Sequence, residues 1–294
     1  MNPTTHICRI CQGADWEELY RGLIRQGRFG NSTFTDRLVY RCKVCDSGWL
    51  EGTPVDYESD AYRESVDEGA GVADFHRAHD GEQAEKLALL GTNQLRGHCI
   101  MDIGCGAGSF LDLMRGMAGA TVAVEPMRAY HATLQAHGHA VFPYTSEVSR
   151  EWQGKVDLAT CFSVIEHLED PVRVLAEIRG LLAPGGRLLV STPNRHDWLL
   201  ELLPVDYPKF FYRVVHRWYF SAESLRRLGA AAGFARVEPF FHHRFDLGNF
   251  LLWLRDRRPS GRGKVPAEPV LDASFRASLC ASGRSDYLYA WMSA

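Results

Sequence analysis

The segment Cys99-Ile-Met-Asp-Ile-Gly-Cys-Gly-Ala-Gly-Ser109 constrains the fold more than any other part of the sequence. A short apolar strand runs there into alternating glycines, which allow a tight turn and a close approach of the backbone to a ligand. The strand Val122-Ala-Val-Glu125 follows about one βαβ unit later. The pair predicts a nucleoside-binding site with Glu125 at the ribose hydroxyls. A dinucleotide fingerprint would need glycine at Ser109, so the pattern argues against hydride transfer.

Strand-like and helix-like segments alternate from residue 75 onward. The predicted strands are 99–103, 121–124, 140–142, 156–162, 187–191, 235–241 and 287–291, and the predicted helices are 75–90, 110–117, 127–137, 172–182, 225–232 and 247–254. Single helices between strands imply right-handed crossovers and a parallel sheet with ligands at the carboxyl ends of the strands. The fold class is therefore α/β.

Three further motifs follow the glycine segment in order: Val164-Ile-Glu-His-Leu-Glu-Asp-Pro171, Leu182-Ala-Pro-Gly-Gly186 and Ser191-Thr-Pro-Asn194. Together with the glycine loop and Glu125, this ordered set resembles the class I S-adenosylmethionine-dependent methyltransferases. The resemblance covers roughly residues 75 to 240. It implies a Rossmann-like, seven-stranded domain and S-adenosylmethionine as the cofactor.

The resemblance also assigns residues to the cofactor. In that family the loop backbone contacts the methionine part, an acid like Glu125 binds the ribose, and an acid like Asp102 supports the loop. The implied cofactor-binding residues are Asp102, Gly104, Cys105, Gly106, Gly108, Glu125, Pro126, Tyr144, Phe162 and Ser163. The adenine-binding acid of the family is missing from residues 141–145, which leaves Tyr144, Thr145 or Ser146-Glu147 as alternatives.

Methyl transfer is an in-line displacement that often requires removal of a proton from the acceptor. His167 is the first candidate base, since it follows the predicted end of the fourth strand and has a suitable pKa. The alternative is that Glu166 and His167 only cap the next segment and shape the pocket. The remaining catalytic candidates are His196, His216 and Tyr219. Ser163 stands where ubiquinone-type relatives carry a metal-binding acid, so we do not expect a catalytic magnesium.

Four cysteines form two Cys-x-x-Cys pairs, Cys8 with Cys11 and Cys42 with Cys45. Two such pairs match the ligand set of a structural zinc site, with His6 as a substitute ligand. Free or redox-active thiols are the alternative interpretation. A module of about 55 residues has a marginal core of its own, so zinc would stabilise it.

These patterns divide the chain into a zinc-ribbon-like module over 1–55, a linker with a capping helix over 56–95, and a methyltransferase domain over 96–294. We expect Tyr57 and Tyr62 of the linker to face the active site. An aromatic insertion at 195–220 reads as an acceptor lid or as helices packed on the domain. The basic loop at about 255–270 is either a solvated segment or a guide for an anionic substrate.

The amino-acid composition indicates which classes of binding partner the chain favours. The 294 residues carry 33 basic and 36 acidic side chains, a net charge of -3, so nucleic acid is not the favoured partner. No apolar run is long enough to span a membrane, and the N-terminus lacks the layout of a signal peptide, which favours a cytoplasmic location. A homodimer is left open.

Three hypotheses of function remain from the sequence. The first is methylation of a small molecule, a sugar, nucleotide-sugar or natural-product intermediate, as in bacterial sugar methyltransferases with a similar cysteine module. The second is an RNA methyltransferase of the ribosomal guanine type. The third is a non-catalytic module that binds the cofactor and recruits a partner. O-, C- and N-methylation are not distinguished by these residues.

Overall fold

The structure is a computed structural model and describes residues 6–27, 32–52, 71–259 and 265–294. Tyr57 and Tyr62 of the linker lie outside the described residues, as do residues 28–31 and residues 260–264 of the basic loop. The capping-helix part of the linker, the glycine segment and all the predicted site residues lie within them.

A seven-stranded sheet forms the centre of the larger part of the chain. Its strand order is β10-β11-β8-β7-β4-β5-β6. The strands are β4 (Cys99–Ile103), β5 (Ala120–Val124), β6 (Ala140–Phe142), β7 (Val156–Phe162), β8 (Leu182–Pro193), β10 (Arg236–His242) and β11 (Tyr287–Ser293). The pairs from β8 through β6 are parallel. The sheet thus has the seven strands of the Rossmann-like α/β domain that the resemblance implies.

The expectation of a wholly parallel sheet is wrong at one strand. β11 lies between β10 and β8 and runs antiparallel to both, with Tyr289 opposite Phe240 on one side and Ser191 on the other. A helix before a strand is compatible with either direction, so the alternation of elements does not define the direction of the last strand. The reversed strand brings Tyr287 and Tyr289 to the ligand edge of β8.

Helices lie between the strands along the described part of the chain. They are α1 (Val72–Leu90), α2 (Ser109–Met114), α3 (His131–Ala136), α4 (Pro171–Leu181), α5 (Trp198–Leu202), α6 (Pro208–Phe211), α7 (Ala222–Ala231), α8 (Leu247–Asp256) and α9 (Pro269–Ala281). The start of α4 is capped by Asp170, which accepts a hydrogen bond from the N–H of Arg173 at 3.1 Å. Ser221 caps α7, as predicted, and shares a capping box with Ser224.

Two helices are shorter than the sequence predicts. α2 ends at Met114 instead of residue 117, before Gly116 and Gly119, which weaken a helix. The segment predicted as a helix over 127–137 begins with a 3₁₀ turn, Arg128–Tyr130, and only then forms α3. Glu125 accepts a hydrogen bond from the N–H of Met127, and this turn delays the helix.

The N-terminal part forms a second sheet of four strands, β1 (Trp16–Gln26), β2 (Thr33–Cys42), β3 (Gly48–Leu50) and β9 (Trp218–Tyr219). The last of these comes from the aromatic insertion, and Trp218 pairs with Trp49. Cys8, Cys42 and Cys45 share one apolar core with Trp218 and with residues of the seven-stranded sheet and its helices. The module therefore shares both a sheet and a core with the rest of the chain.

The aromatic insertion is mostly packed against this module. Its buried aromatic side chains are Tyr212, Trp218, Tyr219 and Phe220. Tyr212 stacks on Tyr20 of β1 with ring centroids 4.8 Å apart. Most aromatic rings of the insertion are therefore packed in the interior. The insertion contributes Arg213 to the lining of the cavity described below. Across the described residues, no helix is both apolar enough and long enough to cross a bilayer.

Candidate active site

A cavity of about 450 Å³ opens at the carboxyl ends of β4, β5 and β7. Its size lies within the range of about 300 to 1,000 Å³ that is usual for small-molecule sites. The predicted cofactor residues that line it are Asp102, Gly104, Cys105, Gly106, Glu125, Pro126, Tyr144, Phe162 and Ser163. Gly108 does not line it and instead caps the start of α2 in a left-handed conformation.

The glycine loop turns where the sequence predicts it. Gly104 and Gly106 have φ of 71° and 56°, a region that side chains other than glycine rarely adopt. A Cβ atom on Gly106 would collide with the ring of Phe75, and one on Gly104 would collide with Val164. Both positions therefore require glycine for conformation and for space.

Glu125 ties the loop to the end of β5. Its Oε2 accepts a hydrogen bond from the N–H of Gly106 at 2.8 Å, and its Oε1 accepts one from Met127 at 2.8 Å. A carboxylate has about four acceptor positions, so these two bonds leave acceptor capacity for ribose hydroxyls. The residue thus shapes the loop and borders the cavity at the same time.

Asp102 lies at the end of β4 and is 4% exposed. Burial raises its pKa to about 6, although a hydrogen bond from Thr160 Oγ1 at 2.7 Å and the charge of Lys86 act in the opposite direction. Lys86 reaches into the same part of the cavity from α1, with its Nζ 5.3 Å from the centre of the Phe162 ring. Its pKa is lowered by burial.

α1 forms one wall of the cavity. The sequence predicts it only as a capping helix. The residues of α1 that line the cavity are Phe75, His79, Glu82, Gln83, Glu85 and Lys86. Most of them are spaced three or four positions apart, which places side chains on one face of a helix. That spacing was a signal for the contribution of α1 to the site.

His167 is the one predicted catalytic residue among the described residues lining the cavity. Its Nδ1 donates a hydrogen bond to the carbonyl oxygen of Val215 at 3.0 Å. Burial, and next the charge of Arg213, lower the pKa of His167 to about 3, so the ring is neutral at pH 7. With Nδ1 protonated, Nε2 is the nitrogen able to accept a proton.

Glu166 lies behind this wall and is 1% exposed. Burial raises its pKa to about 8. Its carbonyl oxygen accepts hydrogen bonds from the N–H groups of Arg217 and Trp218 at 2.7 and 3.0 Å. Glu166, His167 and His216 have side-chain ligand atoms within 4.8 Å of one another, a grouping able to hold a divalent cation.

The other three catalytic candidates lie away from the cavity wall. His216 is buried behind His167, with ring centroids 4.8 Å apart. Tyr219 is buried, and its hydroxyl bonds to the main chain of Arg213. His196 lies in a separate groove, where its Nε2 is 2.9 Å from Oδ2 of Asp46.

Several residues that line the cavity were not predicted from the sequence. Tyr287 and Tyr289 reach the site because β11 is reversed, and the hydroxyl of Tyr287 lies 2.5 Å from Ser163 Oγ. Ser163 has φ of 56°, which turns the chain at the end of β7. Arg244 lies 3.5 Å from the centre of the Tyr287 ring, and its Nε donates to Asp286 at 2.8 Å. Arg213 comes from the insertion, where arginines carry no periodic signal.

The four paired cysteines converge at one point in the module. Their sulfur atoms all lie within 4.8 Å of one another, with Cys8 to Cys45 at 3.7 Å and Cys11 to Cys42 at 3.5 Å. Sulfur atoms bound to tetrahedral zinc at about 2.3 Å are about 3.8 Å apart. The donor set and its spacing fit that metal, while His6 instead stacks on Trp49.

Comparison with known proteins places this site in context. Residues 75–238 match a family model described as a methyltransferase domain. The ubiquinone biosynthesis O-methyltransferase of Aeromonas salmonicida (strain A449) is 33% identical over 153 residues, which are 47% of this chain and 63% of that protein. The protein of the same name from Acinetobacter baumannii (strain AYE) is 30% identical over 139 residues, 40% of this chain and 58% of its own. The chain thus spans about three-fifths of the length of these relatives.

Among solved structures, a Thermotoga maritima protein described as a SAM-dependent methyltransferase, possible histamine N-methyltransferase, aligns over 74% of this chain and 90% of its own. Its sequence identity is 22% and the TM-score is 0.49.

Proposed function

The chain belongs to the family of methyltransferase domains, and from this membership we propose that it transfers the methyl group of S-adenosylmethionine to a small molecule. The supporting observation is the glycine loop between Gly104 and Gly108, which turns at the end of β4 and is tied to Glu125 beside a cavity of about 450 Å³. A cavity of this kind suits a nucleoside-containing cofactor and a small acceptor side by side.

The cofactor would lie along the ends of β4 and β5. The backbone of Gly104 and Gly106 would contact its methionine part, Glu125 its ribose, and Tyr144 its adenine. When bound, the cofactor supplies an electrophilic methyl group on a sulfonium. Phe162 and Ser163, at the end of β7, border the space between this cofactor position and the wall that carries His167.

The residues of this chain orient the acceptor, exclude water and move its proton. α1 covers the cavity, and the rings of Phe162, Tyr287 and Tyr289 provide an apolar wall. His167 is the candidate to accept the proton through Nε2, because its Nδ1 is engaged by Val215. A low pKa makes it a weak base, so an acidic acceptor group such as a phenol suits it best.

The acceptor belongs to the small molecules named by the sequence analysis: a sugar, a nucleotide-sugar or a natural-product intermediate. The names of the two curated relatives favour oxygen as the methylated atom. The net charge of -3 disfavours an RNA substrate. A cofactor-binding module without turnover is the remaining alternative, and product formation distinguishes it from an enzyme.

The four cysteines of the module would hold a structural zinc ion. All four sulfurs point to one centre, and Cys8, Cys42 and Cys45 are buried, which leaves no open position for a substrate. The predicted boundary at residue 55 lies outside the described residues and stays a prediction, and strand β9 from the aromatic insertion extends the module's sheet.

The test combines calorimetry and product detection on one sample. The protein with its metal is titrated with S-adenosylmethionine and S-adenosylhomocysteine, and its zinc content is measured. Micromolar binding with about one zinc per chain is expected. Incubation with nucleotide-sugars, phenols and RNA, followed by mass spectrometry, then identifies the acceptor. Failure to bind either cofactor form would refute the proposal, and binding without any methylated product would favour the non-catalytic module.

A further inference from the structure

Among the described residues of the cavity wall, Lys86, Arg213 and Arg244 are the strong cations. Arg244 donates to Asp286 at 2.8 Å, whereas Lys86 interacts electrostatically with Glu82 and Asp102 but forms no ion pair with either. The guanidinium of Arg213 makes no side-chain hydrogen bond or ion pair with any residue in ranges 6–27, 32–52, 71–259 and 265–294. A partly buried, unmatched cation is costly unless a ligand supplies its partner.

The groups around Arg213 do not neutralise its charge. The carboxyl group of Glu166 lies near Arg213, but its oxygens accept no hydrogen bond among the described residues and it forms no ion pair with the guanidinium. The positive charge of Arg213 is therefore directed to whatever fills the cavity.

The main chain of Arg213 is held from several sides. The hydroxyl of Tyr219 accepts from its N–H at 2.9 Å and donates to its carbonyl oxygen at 3.1 Å. Arg25 of β1 brackets the residue by donating to Tyr212 O at 3.0 Å and accepting from Val214 N at 3.1 Å. This support is typical of a side chain positioned for a ligand.

We propose that Arg213 binds an oxyanion of the methyl acceptor, so that the acceptor is a carboxylate or a phosphate ester and not a neutral molecule. The inference rests on the proposed function, because it assigns the acceptor to the part of the cavity between Phe162 and His167. The planar guanidinium suits both oxyanions, since it can donate two parallel hydrogen bonds.

The cofactor has a carboxylate of its own, which is the competing partner for Arg213. Lys86 is the nearer candidate for that group, because it lies beside Asp102 and Phe162 at the end of β4 and β7. Arg213 lies on the insertion and its charge acts on His167 after β7, whereas Glu125 follows β5. The two possibilities predict different effects of an Arg213 substitution on cofactor affinity: a loss if Arg213 binds the cofactor carboxylate, and little change if it binds the acceptor.

The test measures binding of small probes to the zinc-containing protein saturated with S-adenosylhomocysteine. Benzoate and phenyl phosphate are the anionic probes, and benzamide is the neutral analogue of benzoate. We expect the stronger-binding anion to exceed benzamide in affinity by at least about tenfold. Arg213→Gln should abolish this preference, and Arg213→Lys should retain part of it. Arg227→Gln is the control, because Arg227 is exposed, does not line the cavity and pairs with Glu223.

Affinity for S-adenosylhomocysteine, measured on the same variants, should stay within about twofold of the parent protein. The proposal is overturned if neither anion binds better than benzamide, or if Arg213→Gln keeps the preference. A tenfold loss of S-adenosylhomocysteine affinity in Arg213→Gln would also overturn it, because Arg213 would then hold the cofactor carboxylate. Binding of S-adenosylhomocysteine by the parent protein in any of these cases leaves the proposed methyltransferase function intact.

Discussion

The N–H of Trp218 donates a hydrogen bond to the carbonyl oxygen of Glu166 at 3.0 Å, across 52 positions of sequence. Trp218 belongs to β9, which pairs with β3 of the cysteine module, while Glu166 belongs to the loop after β7. The loop that carries His167 is therefore fixed by the module's sheet. Loss of the module's structure should disturb the acceptor side of the cavity more than the cofactor side.

Cys42→Ser should remove one zinc ligand and lower both zinc content and stability. We expect the zinc content to fall well below one per chain and the free energy of unfolding to drop by a few kcal/mol, because metal binding contributes directly to folding. Metal analysis and thermal denaturation measure both. Cys280→Ser is the matched control, since Cys280 lies on α9 outside the cluster. Unchanged zinc in Cys42→Ser would refute the assignment of this ligand.

Glu125→Ala should weaken the binding of S-adenosylhomocysteine by about ten- to a hundredfold. The substitution removes acceptors for the N–H groups of Gly106 and Met127 and for the ribose, each worth about 1 to 3 kcal/mol when charged. Calorimetric titration gives the affinity, and Glu151→Ala serves as an exposed control. Equal affinity in parent and Glu125→Ala would show that the ribose does not depend on this carboxylate.

Glu166→Gln should change how stability depends on pH. The folded-state pKa of Glu166 is about 8, above the value of 4.5 for an exposed glutamate, so this group favours folding at low pH and the benefit is lost as pH rises from about 4.5 to 8. The glutamine variant cannot ionise and avoids this loss. Its melting temperature relative to the parent should therefore rise between pH 5 and pH 8. A constant difference across that range would contradict burial of an ionisable carboxyl.

His167→Ala should lower kcat by about 10²-fold, the usual contribution of a positioned base, with whichever acceptor the mass-spectrometric screen finds. Affinity for S-adenosylhomocysteine should change little, because His167 lies beyond Phe162. Because the pKa of His167 is about 3, this residue does not titrate between pH 5 and pH 8. We therefore expect the ratio of parent to variant kcat to stay constant over that range. Single-turnover rates across that range provide the measurement. Full activity of the alanine variant would make His167 a pocket-shaping residue.

The sequence predicted a feature best where a structural or chemical requirement can be met by only one residue type. The glycines at 104 and 106 are required by positive φ and by the close packing of Phe75 and Val164, and they marked the cavity correctly. The cysteine pairs likewise marked the thiol cluster. Arg213 could not be found in this way, because its position depends on β1, Tyr219 and the packing of the insertion.

Two other features depend on tertiary pairing. Trp218 and Tyr219 are aromatic residues in a ring-rich insertion, and only the formed sheet shows that they extend the module. Tyr287 was predicted in a strand, but its place beside Ser163 follows from the reversed direction of β11. Local periodicity carries no information about either pairing.

The ring of Phe75 rests on Gly106, at the point where the loop would meet the cofactor. Phe75 lies in the first turn of α1, so this turn forms the wall beside the glycine loop. We expect the exchange of spent for fresh cofactor to be gated by this turn. The steady-state rate would then be limited by the release of S-adenosylhomocysteine rather than by methyl transfer.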